Sequence, residues 1–126
     1  MRRLLSVVVS VYNEEEALAQ FYQVTEGILN TISWDYELVF VNDGSRDQSL
    51  SILNRLADSN PKVKVVSFSR NFGHEAAMIA GIDYSQGDGI ICMDADLQHP
   101  PACIPEIIRR FEDGYEVINM VRTKNE

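Results

Sequence analysis

Apolar and polar positions along this chain alternate between two periods. Residues 4–11 form a valine-rich apolar run interrupted by Ser6 and Ser10, the pattern of a strand covered on both faces. Residues 14–30 switch to helical spacing, with Leu18, Phe21, Tyr22, Ile28 and Leu29 on one face. The glutamates at its start fall in the first turn, where they favour the helix dipole. Residues 37–41 are a second short apolar run, ended by the turn Asn42-Asp43-Gly44-Ser45. Ser45 with Gln48 has the spacing of a capping box and predicts a helix carrying Leu50, Leu53, Leu56 and Ala57. Asn60-Pro61 closes that helix, and residues 63–68 read as a third strand. Residues 73–84 read as a helix with Ala76, Ile79 and Ala80 inward. Gly87-Asp88-Gly89 is a turn, and residues 90–93 are a fourth strand. Pro100 and Pro101 suit a helix start, and Ile104, Ile107, Ile108 and Phe111 keep helical spacing behind them. Gly114 ends that helix, and residues 116–121 read as a fifth strand.

Strands joined in sequence by helices imply βαβ units and an α/β fold with a mainly parallel sheet flanked by helices. No repeat or linker divides the chain, so residues 1–126 read as part of a single domain. The 126 residues are 45% hydrophobic and 24% charged, which supports one core and excludes a disordered or low-complexity chain. Nineteen acidic residues against eleven basic ones give a net charge of −8, with no basic stripe. Nucleic acid is therefore excluded as a partner, and handling phosphate requires a cation between ligand and carboxylates. Cys92 and Cys103 form neither a CxxC site nor a disulfide framework; they read as inert, half-buried thiols of a reducing compartment. The apolar opening is far shorter than the ~20 residues of a membrane helix. Arg2 and Arg3 before it imitate a signal peptide, but its valines and the following Glu14-Glu15-Glu16 favour a buried strand. The polar residues 122–126 bring no closing element, so the fold reads as truncated, with a naturally small domain as the alternative.

Ligands of open α/β sheets bind outside the carboxyl ends of the strands. The residues expected there are Tyr12, Asn13 and Glu14, then Asn42 to Ser45, then Ser69, Arg70 and Asn71, then Asp94 to His99. In Asp94-Ala95-Asp96-Leu97-Gln98, three oxygen-bearing side chains alternate with two apolar ones. Extended backbone would put all three on one side, as hard ligands for Mg²⁺ or Mn²⁺; a solvated acidic turn capping the next helix is the bland alternative. Asp43 either satisfies its own turn or accepts a hydrogen bond from a nucleobase N–H. Glu14 is a first-turn helix residue or a ribose contact, and Tyr12 lies against a base or covers the sheet edge. Arg70 pairs with an acid or contacts a diphosphate. His74 reads as a surface or cap histidine, and His99 as positional. A Ser-His-Asp or Cys-His arrangement, a GxxxxGK[ST] loop and a GxGxxG after the first strand are all absent, which argues against hydrolase, P-loop and dinucleotide-binding readings.

These residues together resemble the family 2 inverting glycosyltransferases. Val7-Val8-Val9-Ser10-Val11-Tyr12-Asn13-Glu14-Glu15 looks like the family's opening strand. Val41-Asn42-Asp43-Gly44-Ser45 matches its second motif, and Asp94-Ala95-Asp96-Leu97-Gln98-His99-Pro100-Pro101 its metal motif. Ser69-Arg70-Asn71-Phe72-Gly73-His74 looks like the polyprenyl-phosphate branch, which includes dolichol-phosphate mannose synthases and bactoprenol glucosyltransferases. The resemblance implies a Rossmann-like GT-A nucleotide-sugar-binding fold. It implies sugar transfer with inversion from a UDP or GDP donor to a polyprenyl phosphate or a glycan. Ser10, Val11, Tyr12 and Glu14 would line the nucleoside pocket, with Asp43 on the base and Arg70 at the nucleotide. Asp94 would sit by ribose and metal, and Asp96 and Gln98 would hold the ion on the diphosphate. Ser10 departs from the proline that many relatives carry there. The family's catalytic region runs past residue 126, so the catalytic base, the acceptor-side loops and the C-terminal membrane helices would lie outside this donor-binding part. A cytoplasmic location, or the cytoplasmic face of a membrane, follows for the whole protein.

Two other readings use the same residues. A Mg²⁺-dependent aspartyl phosphotransferase or receiver-like domain also places aspartates at parallel strand ends, but it wants its acidic pair after the first strand, where Asn13-Glu14 is a weak match. A nucleotide-binding module without turnover is the non-enzyme alternative. An edge strand left open by truncation could pair with another copy, giving a homo-oligomer.

Overall fold

The valine-rich opening run becomes the centre of the sheet. The structure, a computed structural model of the chain, describes residues 3–95, 103–112 and 117–119. Strand β1 (Leu4–Val11) lies between β2 (Asp35–Asn42) and β4 (Gly89–Asp94); β3 (Val63–Ser67) flanks β2, and β5 (Val117–Asn119) flanks β4. The order is β3-β2-β1-β4-β5 and every neighbouring pair is parallel. Among the described residues, the helices between the strands are α1 (Leu18–Leu29), α2 (Ser49–Ser59), α3 (His74–Tyr84) and α4 (Ile104–Glu112). The expected α/β fold with a parallel sheet is what the chain forms.

Period-two alternation in β1 sends Leu5, Val7, Val9 and Val11 into one core and Val8 into another. The larger core takes Leu18 and Phe21 from α1, Leu53 from α2, and Ile104, Ile107, Ile108 and Phe111 from α4. Phe21 meets Phe40 edge-on, and Trp34 stacks on Phe111 at 5.7 Å. The smaller core lies under α3, where Ala77 and Met78 cover Val8, Val39, Val41 and Cys92. Burial pushes the Cys92 thiol up to about 11, so it stays protonated and unreactive at neutral pH. Cys103, expected to be half-buried, is exposed.

Three local expectations are corrected. Helix α1 begins at Leu18, not residue 14, because the glutamates before it are drawn into loop contacts described below. Helix α2 begins at Ser49 and the Ser45–Gln48 capping box does not form; Asp47 Oδ1 accepts from the Ser49 N–H instead, at 2.9 Å. Helix α3 buries Ala77, Met78 and Gly81, while Ile79 is 58% exposed. The α3 sequence is apolar on every side, so periodicity alone could not choose its face. Close approach to the sheet chose it: a Cβ on Gly81 would stand 2.3 Å from Val8 Cγ1 and 3.1 Å from Val41 Cγ2. Gly114 and the prolines at 100 and 101 lie outside the described residues.

Gly81→Ala tests that packing. Helix propensity alone would favour alanine by about 1 kcal/mol. The added methyl instead overlaps Val8, and overpacking of this kind costs about 1–3 kcal/mol. The net change in urea-unfolding stability is expected to be destabilising, and a stabilised variant would show that α3 sits further from the sheet.

Candidate functional site

The direction of strand addition reverses between β1 and β4: β2 and β3 add on one side, β4 and β5 on the other. The carboxyl ends there diverge into a crevice, the usual ligand position in open sheets. Ser10 and Asp94 are register partners across this junction. The Ser10 hydroxyl donates to Asp94 Oδ1 at 3.2 Å, a bond that a proline at position 10 could not make. His74, the first residue of α3, places its Nε2 2.8 Å from the same Oδ1. Its ring is 61% exposed, whereas the Asp94 side chain is 12% exposed.

Asp43, next to the end of β2, is buried and needs donors for its carboxylate. The segment after β3 supplies them. The Phe72 N–H donates to Oδ1 at 2.7 Å, and the Gly73 N–H and Asn71 Nδ2 donate to Oδ2, each at 3.0 Å. Gly44 lets the two loops close together: its φ is +71°, and a Cβ there would lie 2.2 Å from the Arg70 carbonyl carbon. Only glycine combines that backbone with that contact. Between these loops and β1 lies an open pocket of about 310 Å³ lined by Ser10, Val11, Tyr12, Asp43, Asn71, Gly73 and His74.

The β1–α1 and β2–α2 loops grip each other beside it. The N–H groups of Asn13, Glu14 and Glu15 donate to Ser45 Oγ, Ser49 Oγ and Asp47 Oδ2. In return Arg46 N–H donates to Asn13 Oδ1 and Gln48 N–H to Glu15 Oε1, both at 2.8 Å. Asn13 takes a left-handed conformation, φ 54°, to face both ways. Partial burial acts to raise the Asp47 pKa, but hydrogen bonds from Ser49 and Glu15 outweigh it and hold the carboxyl below its ordinary value. Glu14, Glu15, Glu16 and Asp47 line a second, acidic hollow of about 390 Å³.

Four expected residues, Ser10, Val11, Tyr12 and Asp43, thus meet in one pocket. Asp94 stands at its border through Ser10 and His74. Glu14 lines the acidic hollow instead. The Arg70 guanidinium lies over the Phe72 ring at 4.6 Å and does not line the pocket. Asp96 and Gln98, the other expected metal ligands, and His99 lie outside the described residues. Among the described residues, no group of three or more His, Cys, Asp or Glu could hold a metal ion. Asn71, expected at this edge, lines the pocket, whereas His74, expected as a surface or cap residue, is a pocket residue that the sequence did not single out. The signal was its place in the segment after β3, which leads onto the same edge.

Two outcomes follow. Asp43→Asn puts an amide donor against the three donors from residues 71–73. It is expected to destabilise by about 1–3 kcal/mol and to speed hydrogen exchange at Phe72 and Gly73; unchanged exchange there would contradict the anchoring role. Asp47→Ala is expected to cost about 1 kcal/mol at pH 7 as a lost helix cap. Because the folded-state pKa of Asp47 is lowered, its contribution is complete above the unfolded value of about 3.9 and fades as pH falls through the folded value. The stability gap between wild type and variant should therefore close in acid, as read by urea unfolding across pH 2–7.

Comparison with known proteins agrees with this geometry. A sequence model described as glycosyl transferase family 2 matches residues 6–126. An uncharacterized glycosyltransferase, YkcC, of Bacillus subtilis (strain 168) is 50% identical over 94% of this chain. A prophage bactoprenol glucosyl transferase homolog of Escherichia coli (strain K12) is 46% identical over 90% of it. The chain spans 37% of the length of each. A solved mannosyltransferase of Pyrobaculum calidifontis, in complex with GDP-Man and Mn²⁺, shares the fold with a TM-score of 0.62 at 23% identity, over 76% of this chain and 28% of that one. The strand-end motifs, the crevice they build and the match across nearly the whole sequence lead to one assignment: this chain belongs to glycosyl transferase family 2.

Proposed function

We propose that the protein transfers a sugar, with inversion, from a nucleoside-diphosphate donor to a polyprenyl phosphate, and that this chain binds the donor. The observation that carries the reading is the convergence of Ser10, Tyr12, Asp43, Asn71 and His74 on one pocket beside Asp94, in a member of this family. The bactoprenol glucosyl transferase homolog among the relatives favours a polyprenyl phosphate over a glycan as acceptor. Family membership also sets the phosphotransferase alternative aside.

In this reading the nucleoside enters the 310 Å³ pocket. A carboxylate offers about four acceptor positions. Asp43 spends three on residues 71–73 and keeps capacity for one nucleobase N–H. Tyr12, 44% exposed at the pocket, offers a ring face to the base. Asp94 ends β4 as a hard oxygen donor, which fits Mg²⁺ or Mn²⁺. Asp96 and Gln98 are the further ligands that this proposal assigns. Bound there, the ion would neutralise charge on the leaving diphosphate. A lipid-phosphate acceptor is already anionic at neutral pH and needs no strong base from this chain. Among the described residues no helix is long and apolar enough to cross a membrane; a lipid acceptor calls for a membrane surface, and the cytoplasmic face is the side that this proposal assigns.

Calorimetric titration of the purified protein with UDP and with GDP, each with and without Mn²⁺, tests the proposal. Metal-dependent binding of one nucleotide is expected, and Asp96→Asn should abolish the metal dependence. Binding of neither nucleotide, or an Asp96→Asn variant that keeps the metal dependence, would overturn it.

A further inference from the structure

His74 entered the sequence reading as a surface or cap histidine, yet its ring reaches a nearly buried carboxylate. Nε2 lies 2.8 Å from Asp94 Oδ1 although the ring itself is 61% exposed. A side chain so open to water gains little from burial. Its orientation comes from that contact and from the backbone of α3, whose start is fixed in turn. Gly73, the residue before it, donates its N–H to Asp43 Oδ2 at 3.0 Å and has a φ of +107° that favours glycine. Asp43 therefore sets where α3 begins, and α3 sets where the imidazole stands. From the other side, Ser10 donates to the same Asp94 oxygen at 3.2 Å. Two donors from two different elements thus meet on one carboxylate oxygen.

We infer that His74 is a positioning residue for donor binding: with Ser10 it fixes the Asp94 carboxylate in the orientation that the ligand meets. Opposite a carboxylate acceptor Nε2 is the donor, and in the neutral ring that is the Nε2–H tautomer. A hydrogen bond to a charged group of this kind holds the carboxylate in one rotamer before the ligand arrives. The role of Asp94 rests on the proposed donor-binding function; the His74–Asp94 contact does not.

The test has two arms. The chain has two histidines, so ¹⁵N-histidine spectra are simple, and His74→Gln identifies the His74 signals. The wild-type ring is expected as the Nε2–H tautomer, relaxing to a mixture in Asp94→Ala. A His74 spectrum that Asp94→Ala leaves unchanged overturns the inference. In the binding arm, His74→Ala is expected to weaken Mn²⁺-supported binding of UDP or GDP about 10-fold or more. His74→Gln, which retains an N–H donor, should restore affinity to within about threefold of wild type. In an Asp94→Ala background, His74→Ala should add no further loss. An equal loss in both backgrounds, or no rescue by glutamine, would mean that the ring acts on the ligand directly and would overturn the inference. If the wild type binds neither nucleotide, the proposed function fails and the positioning role with it, while the tautomer arm still decides whether the His74–Asp94 contact forms.

Discussion

A buried carboxylate must be satisfied by donors, and Asp43 meets that demand with a loop about thirty residues away. Much of the site follows from this one requirement. The three bonds draw residues 71–73 against the end of β2, and Gly44 makes the approach sterically allowed. With that segment fixed, α3 starts at a defined point, and His74 is carried to Asp94 on the far side of β1. The pocket is the gap left between the anchored segment and the end of β1. An aspartate that reads as a ligand-binding residue in sequence is therefore first a structural one. The two roles are compatible because a carboxylate has more acceptor positions than the loop consumes.

The sheet order explains why these groups meet where they do. Because β1 is flanked by β2 and β4, a residue at its end can touch elements far apart in sequence. Ser10 uses that position, with β2 on one side and Asp94 on the other. The cost of a polar side chain in the central strand is offset by its bond to Asp94. Ser6 is treated in the same way at the opposite end, where its hydroxyl donates to the buried Glu37 at 2.6 Å and accepts from the Gly87 N–H. The two serines that interrupt the valine run are thus the two points at which side chains of the central strand make hydrogen bonds.

The strands and the order of elements were legible because β1 and β2 are long apolar runs and the turns between elements carry Asn, Asp, Gly and Pro. The inward face of α4 was legible too, since Ile104, Ile107, Ile108 and Phe111 alternate cleanly with charged residues. The face of α3 was not: Ile79 is a larger hydrophobe than Ala77 or Gly81, yet it points outward because the helix meets the sheet most closely at Gly81, where no Cβ fits against Val8 and Val41. Shape decided there, and hydrophobicity does not encode shape. The α2 cap failed for a related reason. Ser45 was a credible capping residue by spacing, but its hydroxyl accepts from Asn13, a partner thirty-two residues away. In the site, the residues on β1 and β2 were found because strand ends announce themselves. The pocket role of His74 was overlooked because it depends on which residues face it, and spacing does not report that.

The loop clasp bears on how this edge handles anions. In phosphate-binding loops, free backbone N–H groups cradle the anion. Here the amides of Asn13, Glu14, Glu15, Arg46 and Gln48 are bonded to side chains across the two loops, and that of Ser49 to Asp47 of its own loop. Those of Phe72 and Gly73 are bonded to Asp43. These donors cannot serve a diphosphate without breaking the contacts that build the pocket. The surrounding side chains are mainly acidic, and the Arg70 guanidinium stacks on Phe72. A diphosphate brought to this edge would meet oxygen atoms before it met donors. In the proposed donor-binding role, a divalent ion at the carboxylate that ends β4 would supply compensating positive charge. The rigidity that shapes the nucleoside pocket and the need for a cation then have one origin: the loops spend their donors on each other.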